Sequence, residues 1–169
     1  MILSDIDIAR EIYGGSLRII PIDSEDIQPC SIDLHLGKEL MTIDGKKIDI
    51  SQDSYHLKPH EFILGVTEEY VEIPTYLCGQ VDGRSSIARL GISVHQTGGY
   101  IDAGYRGNIT LELYNCSEKP FELFLGDSIC QMIVHRLTSM CERPYGTDVI
   151  GSKYQDSDGI VGSKYARPK

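Results

Sequence analysis

No two cysteines in this 169-residue chain stand in CxxC spacing, and the five present, at 30, 78, 116, 130 and 141, make an odd count. A disulfide framework and a cysteine-type zinc site are thereby set aside, and reduced thiols in the cytoplasm are the natural reading. No GxxxxGK[ST] run occurs, which excludes a phosphate-binding loop of that type. No apolar run approaches the roughly 20 residues of a membrane span. The opening MILSDIDIAR has no basic stretch before an apolar core, and is expected not to be a signal peptide. Positive charge is scarce as well: the net charge is -9. That balance argues against duplex nucleic acid or an anionic membrane as the main partner. A small anionic ligand remains compatible, because a local arginine cluster can act against the global sign.

What is present fits one globular domain over residues 1–169, with 41% hydrophobic and 24% charged residues and enough length for a real core. Residues 4–13 read as a short helix. Ser4 is placed to cap it, with Asp7 completing a capping box. Leu3 and Ile8 are placed as a hydrophobic staple, and Gly14-Gly15 ends the helix. From 17 to 137 the chain breaks into short β-branched or alternating runs: IIPI, SIDLHLG, FILGVT, EYVEI, LCGQV, NITLELYN, FELFLG and ICQMIVHRL. Turn residues separate them, which predicts an all-β sandwich or barrel. One helical segment, Ser85–Leu90, interrupts the strands, with Gly91 as its left-handed end. Residues 142–169 hold few aliphatics and repeat GSKY. They read either as a solvated tail or as an arm that orders over a ligand, with Lys153, Lys164, Tyr154 and Tyr165 supplying charge and ring faces.

The residues that carry chemistry concentrate between 83 and 115, and together they read as parts of one site. Arg84, Ser85, Ser86 and Arg89 crowd the start of the second helix. Hydroxyls and free N–H groups at a helix start, flanked by planar guanidiniums, suit phosphate. The alternative is a serine-capped turn with two solvent arginines. In Ile109–Tyr114, strand alternation puts Ile109, Leu111 and Leu113 on one face and Thr110, Glu112 and Tyr114 on the other. Glu112 is a surface acid if that second face meets solvent. If the face lines a cavity, desolvation makes a carboxylate more basic and suits it to general-base work. Asp102 in GGYIDAGY is either a turn acid or an acceptor for a sugar hydroxyl. The five histidines are scattered without metal-ligand spacing.

Four motifs now stand together: QPCSIDLHLG (28–37), DGRSSIARLG (82–91), HQTGGYIDAGYRGNITLELYN (95–115) and PYGTDVIGSKYQ (144–155). With them the chain resembles the dCTP deaminase family, in the dUTPase-like superfamily, over essentially its whole length. The resemblance implies a mainly β subunit, a distorted β-barrel or jelly-roll with short helices, and a homotrimer with sites between subunits. It implies a nucleoside triphosphate with Mg²⁺ as substrate, dCTP, dUTP or dTTP as ligands, and a place in dUTP and dUMP biosynthesis. Carried over by position, Glu112 is the general base, with Ser85 and Arg89 assisting it. Arg84, Ser85, Ser86, Ile87, Ala88 and Arg89 are the triphosphate cradle. Asp102 is the deoxyribose-side acid, and Thr110, Leu111 and Glu112 form the strand that meets the base. Gln131, Tyr145 and Lys153 are further contacts, and residues 142–169 form an arm closing over the nucleotide.

Zinc deaminases use H-x-E with P-C-x-x-C, and neither occurs here. Cytosine deamination by this chain is therefore expected to activate water without zinc. The family's usual Thr-Ala-(Gly or His) is Thr97-Gly98-Gly99 here, and Ser157 stands where a glutamine is common. Gln155 is the natural substitute for that glutamine. Gly99-Tyr100 resembles the bifunctional members, which go on to release dUMP and diphosphate. Two other functions stay open: a dUTP diphosphatase without deamination, and a non-catalytic nucleotide sensor on the same fold.

Overall fold

The short β-branched runs do fold as strands. The computed structural model, which describes residues 1–165, is 41% strand and 10% helix. Helix α1 (Asp5–Tyr13) comes first, then β1 (Arg18–Ile20), a single 3-10 turn (Ser24–Asp26), β2 (Ile27–Gln28) and β3 (Ser31–Met41). Next are β4 (Lys47–Asp49), β5 (Tyr55–Leu57), β6 (Phe62–Glu72) and β7 (Leu77–Gly83). Helix α2 (Ser85–Ala88) leads to β8 (Ile92–Ser93), β9 (Tyr100–Ile101) and β10 (Arg106–Asn115). The strands β11 (Phe121–Leu123) and β12 (Ser128–Arg136) complete the set.

Ten strands join in one curled antiparallel sheet with the order β8-β10-β6-β3-β12-β7-β9. The strands β1, β2 and β4 pair at its flanks, and β11 and β5 form a separate two-stranded sheet. The long β3 turns the corner. Its register with β6 shifts between Leu36 and Leu40, and Gly37 lies in that shift. A Cβ at Gly37 would stand 3.1 Å from the Val66 carbonyl oxygen, so the two backbones approach there only because glycine has none.

Alternation fills the core. Ile32, Leu34, Leu36 and Leu40 of β3 meet Ile63 of β6, Leu111 and Leu113 of β10, and Met132 and Val134 of β12, all at 1% exposure or less. Each such aliphatic side chain contributes about 1.5–3 kcal/mol on burial. Leu3 and Ile8 are both buried, as the staple reading requires. Glu11 pins α1 to the sheet by accepting hydrogen bonds from Arg136 (2.6 Å) and Tyr76 (2.7 Å).

The sequence reading needs adjustment in three places. Ser4 has the extended backbone of an N-cap, yet its hydroxyl faces the Asp7 carboxylate instead of a main-chain N–H. The runs FILGVT and EYVEI are one strand, because nothing between them breaks the chain. Helix α2 is one turn of four residues capped by Arg84, shorter than Ser85–Leu90. Gly91 does take a positive φ of 85° after it.

Candidate active site

Strand β10 alternates as expected, and its second face meets a cleft instead of open solvent. Thr110 and Glu112 are half-buried and line a cavity of about 970 Å³. Leu111 is 1% exposed and points into the core, so only its main chain is available to a ligand. Asp102 and Tyr145 line the same cleft. The Asp102 carboxylate makes no hydrogen bond with the described residues, so it is not serving as a turn acid. Tyr145 packs against Tyr105 with ring centres 5.7 Å apart, and its hydroxyl accepts a bond from the Tyr154 N–H at 2.9 Å.

The Glu112 carboxylate is held from one side. Its Oε2 accepts the Gln96 main-chain N–H at 2.8 Å, while the Glu112 N–H donates to Val94 at 3.0 Å. A Cβ on Gly98 would lie 3.4 Å from Glu112 Oε1, an ordinary contact. The Gly98 departure therefore leaves a little extra room beside Oε1 without altering the strand. Gly99 is different: a Cβ there would meet the Val81 carbonyl at 2.8 Å. The segment that holds Glu112 is thus tied to β10 at one end and pressed against β7 at the other.

The arm is not a solvated tail. Asn108 accepts the Gly159 N–H at 3.1 Å and donates to the carbonyls of Thr67 and Glu69, across the register shift in β10. Arg106 forms a two-pronged ion pair with Asp156, and the Val161 N–H donates to the Thr110 hydroxyl at 3.3 Å. Residues 161–163 therefore form part of the cleft wall. Residues 166–169 of the expected arm lie outside the described residues. The amide of Gln155, read as the substitute for the family's glutamine, donates to Gly104 (2.9 Å) and accepts from Arg106 (3.0 Å). Both ends of that side chain are spent on docking the arm. Ser157 is buried, with its hydroxyl turned back to the Tyr154 carbonyl. Lys164 lies over the Tyr154 ring and donates to the Lys153 carbonyl.

The remaining expected residues do not converge on the cleft. Ser85, Ser86, Ala88 and Arg89 are exposed, Ile87 is half-buried, and none of them lines it. Lys153 is also exposed and outside it. Gln131 spans three strands by donating to the Gly83 carbonyl (3.1 Å) and accepting from Ser31 (3.0 Å). Arg84 pairs with Asp33 at 3.1 Å and donates to the Ser128 carbonyl at 3.1 Å. Within the chain, the residues read as parts of one site therefore fall into two separate sets. The alternative of a serine-capped turn does not hold either, because the residue that caps α2 is Arg84.

Behind the Arg84 set lies a buried ionic cluster that the motifs did not reveal. Glu69 is 2% exposed and accepts both the N–H and the ring Nδ1 of His35, the latter at 2.7 Å. Asp26 approaches the other ring nitrogen at 3.6 Å. Burial pushes the Glu69 carboxyl up, against the opposing pull of His35. Burial alone would hold His35 down, but the bond and charge of Glu69, with Asp26, carry the imidazole above its ordinary value. Burial also raises Asp33, and Arg84 pulls it back. Among the described residues, no group of three or more His, Cys, Asp or Glu could hold a metal ion.

The missed wall residues, Gln96, Asn108 and 161–163, act mainly through the backbone or the chain's own turns, and composition carries little signal for that. Asn108 alone had one, as a polar residue opening an apolar alternation.

Comparison with known proteins gives a consistent result. The family model described as dCTP deaminase-like matches residues 2–137. The dCTP deaminase, dUMP-forming, of Dictyoglomus thermophilum is 43% identical over 184 residues, covering 97% of this chain and 94% of that protein. The protein of the same name from Halobacterium salinarum is 39% identical over 185 residues, with 97% and 94% covered. Among solved structures, 2'-deoxycytidine 5'-triphosphate deaminase from Agrobacterium tumefaciens aligns with a TM-score of 0.69 at 22% identity, over 80% of this chain and 48% of that one. A mutant dUTPase from phage phi11 of S. aureus, with a structural Mg(II) ion, aligns at 0.54 and 16% identity, over 78% and 97%. At those identities the two structures establish a shared fold.

Proposed function

The chain belongs to the dCTP deaminase-like family, and from that premise we propose that it deaminates dCTP at C4 and then hydrolyses the product to dUMP and diphosphate. The observation that carries the proposal is Glu112: a half-buried carboxylate inside the cleft, with Oε2 held by the Gln96 N–H and Oε1 beside the small Gly98. Relatives matching over nearly their full length bear the dUMP-forming name, and Gly99-Tyr100 resembles that type.

In this mechanism Glu112 takes a proton from the water that attacks C4. Glu112 passes that proton to N3; the second water proton then moves from the new C4 hydroxyl through Glu112 to the exocyclic amine, the C4–N4 bond breaks, and ammonia leaves. One water is consumed and the cytosine becomes uracil. A second water then attacks the α-phosphorus, and diphosphate departs to leave dUMP. Asp102 receives the deoxyribose, while Thr110, the Leu111 main chain and Tyr145 hold the nucleoside. Mg²⁺ comes as part of the substrate, held by phosphate oxygens and water.

Arg84 to Arg89 would cradle the triphosphate of a neighbouring copy's nucleotide, with Ser85 and Arg89 reaching its reacting base. Gln131 would support that cradle, and Lys153 would add charge from the arm. The exposure of α2 outside its own cleft supports this assignment, which makes a homotrimer with shared sites the working assembly. Five unpaired thiols support a reducing, cytoplasmic setting.

The test is product analysis. Incubation with dCTP and Mg²⁺ is expected to yield ammonia, dUMP and diphosphate without accumulation of dUTP. Release of dUMP from dUTP without ammonia from dCTP would assign a plain dUTP diphosphatase. Binding of either nucleotide without turnover would assign a sensor.

A further inference from the structure

Arg84 is the only proposed phosphate contact that arrives already fixed. One guanidinium nitrogen, Nη2, meets Asp33 Oδ2 at 3.1 Å, and the other, Nη1, donates to the Ser128 carbonyl at 3.1 Å. The Asp33 side chain is 9% exposed and that of Arg84 is 34% exposed. The guanidinium is thus engaged from the protein side by one hydrogen bond and one ion pair, and its remaining N–H groups are left for a ligand. Arg84 is also the N-cap of α2, and its carbonyl accepts the N–H groups of Ile87 and Ala88 at 3.0 and 2.9 Å. The same residue therefore sets where α2 starts and where its guanidinium points.

The ion pair is not needed to join the strands it spans. Gln131 of β12 is already the ladder partner of both Asp33 and Asp82, and its side chain ties Ser31 to the Gly83 carbonyl. A carboxylate this buried is costly to keep unless it does something that an apolar residue would not. Its one ion-pair partner among the described residues is Arg84. In a chain of net charge -9, placing another acid beside a phosphate-binding arginine lowers the local positive charge. What it adds in return is orientation. We infer that Asp33 is a positioning residue for the triphosphate: acting through Arg84, it holds the guanidinium in its binding geometry before the nucleotide arrives. The inference rests on the reading of Arg84 as part of a triphosphate cradle.

Orientation and charge make opposite predictions. If Asp33 acts only as a charge, both Asp33→Ala and Asp33→Asn should tighten phosphate binding. If it positions Arg84, Asp33→Ala loses the anchor, whereas Asp33→Asn keeps an acceptor oxygen and restores most of the function. The measurement is inhibition of dCTP deamination by inorganic tripolyphosphate, alongside KM and kcat, on the intact assembly. Positioning predicts that Asp33→Ala weakens tripolyphosphate inhibition and raises KM by about tenfold with little change in kcat, the scale of one charge-assisted hydrogen bond. It also predicts no further loss when Asp33→Ala is added to Arg84→Ala. Tighter or unchanged inhibition in a folded Asp33→Ala protein overturns the inference, as does full additivity in the double variant. Should Asp33→Ala not fold, Arg84→Lys decides: it keeps the charge but cannot bridge Asp33 and Ser128 while facing phosphate. Wild-type inhibition by Arg84→Lys overturns the inference, and weakened inhibition supports it. A wild-type protein that deaminates dCTP but ignores tripolyphosphate removes the cradle reading itself.

Discussion

The pattern of β10 alone separates the residues that hold the fold from those that meet a ligand. Leu111 and Leu113 are core and Glu112 between them is not, because successive side chains on a strand leave opposite faces. That division was legible in the sequence. Whether the second face met solvent or a cleft was not, since the answer depends on the arm and on the 96–98 segment, both distant along the chain. Gln155 is a case where the partner was not legible in the sequence. Its position invited a nucleotide role, yet its amide is used up on Gly104 and Arg106. At this scale the clearest consequence concerns Glu112→Gln. Glutamine keeps the shape and an acceptor for the Gln96 N–H, but cannot take the proton from water. The fold and nucleotide affinity should persist, and kcat for ammonia release should fall by about 10² to 10⁴-fold. A loss confined to KM would show that the carboxylate binds substrate and does not act as the base. Diphosphate release from supplied dUTP should survive better, because that chemistry lies away from C4.

Among the elements, β3 carries the least expected chemistry. Its sequence, SIDLHLGKELM, reads as an ordinary apolar strand, and the long strands were legible from such runs. The two- and three-residue strands were not, because so few residues show no period. Nor did any local pattern announce that Asp33 and His35 of β3 would meet Arg84, Glu69 and Asp26 from three other places in the chain. The His35–Glu69 pair has a measurable effect on stability. The folded-state value of His35 lies above its unfolded value, so the stability it contributes is complete below about pH 6.5 and is lost as pH rises through the folded value. Burial raises Asp33 and Glu69 as well, so both also favour the low-pH side, and the comparison with His35→Gln isolates the part that depends on the imidazole. Thermal midpoints measured from pH 6.5 upward should therefore decline in the wild type and decline less in His35→Gln. Equal slopes in the two proteins would mean that His35 is not the titrating group.

At the scale of the whole molecule, the proposed site residues fall into two sets that do not meet within the chain. The cleft presents Glu112, Thr110, Asp102 and Tyr145, and α2 presents Ser85 and Arg89 elsewhere on the surface. Short-range sequence order places these residues within one stretch, which made a single site the natural reading. Sequence order alone does not show which copy's cleft α2 serves; in the proposed assembly it is a second copy's. Closed rings of identical subunits satisfy such an arrangement, because each interface repeats the same pairing. The central claim, a dCTP deaminase site assembled from two copies, is tested most directly by subunit mixing. Glu112→Gln and Arg89→Ala proteins should each release little ammonia from dCTP. Dissociated and reassembled together, they should recover a clear part of the wild-type rate, since the Arg89→Ala copy supplies an intact Glu112 and the Glu112→Gln copy an intact α2. A mixture that reassembles and stays as inactive as its parents would contradict the shared site.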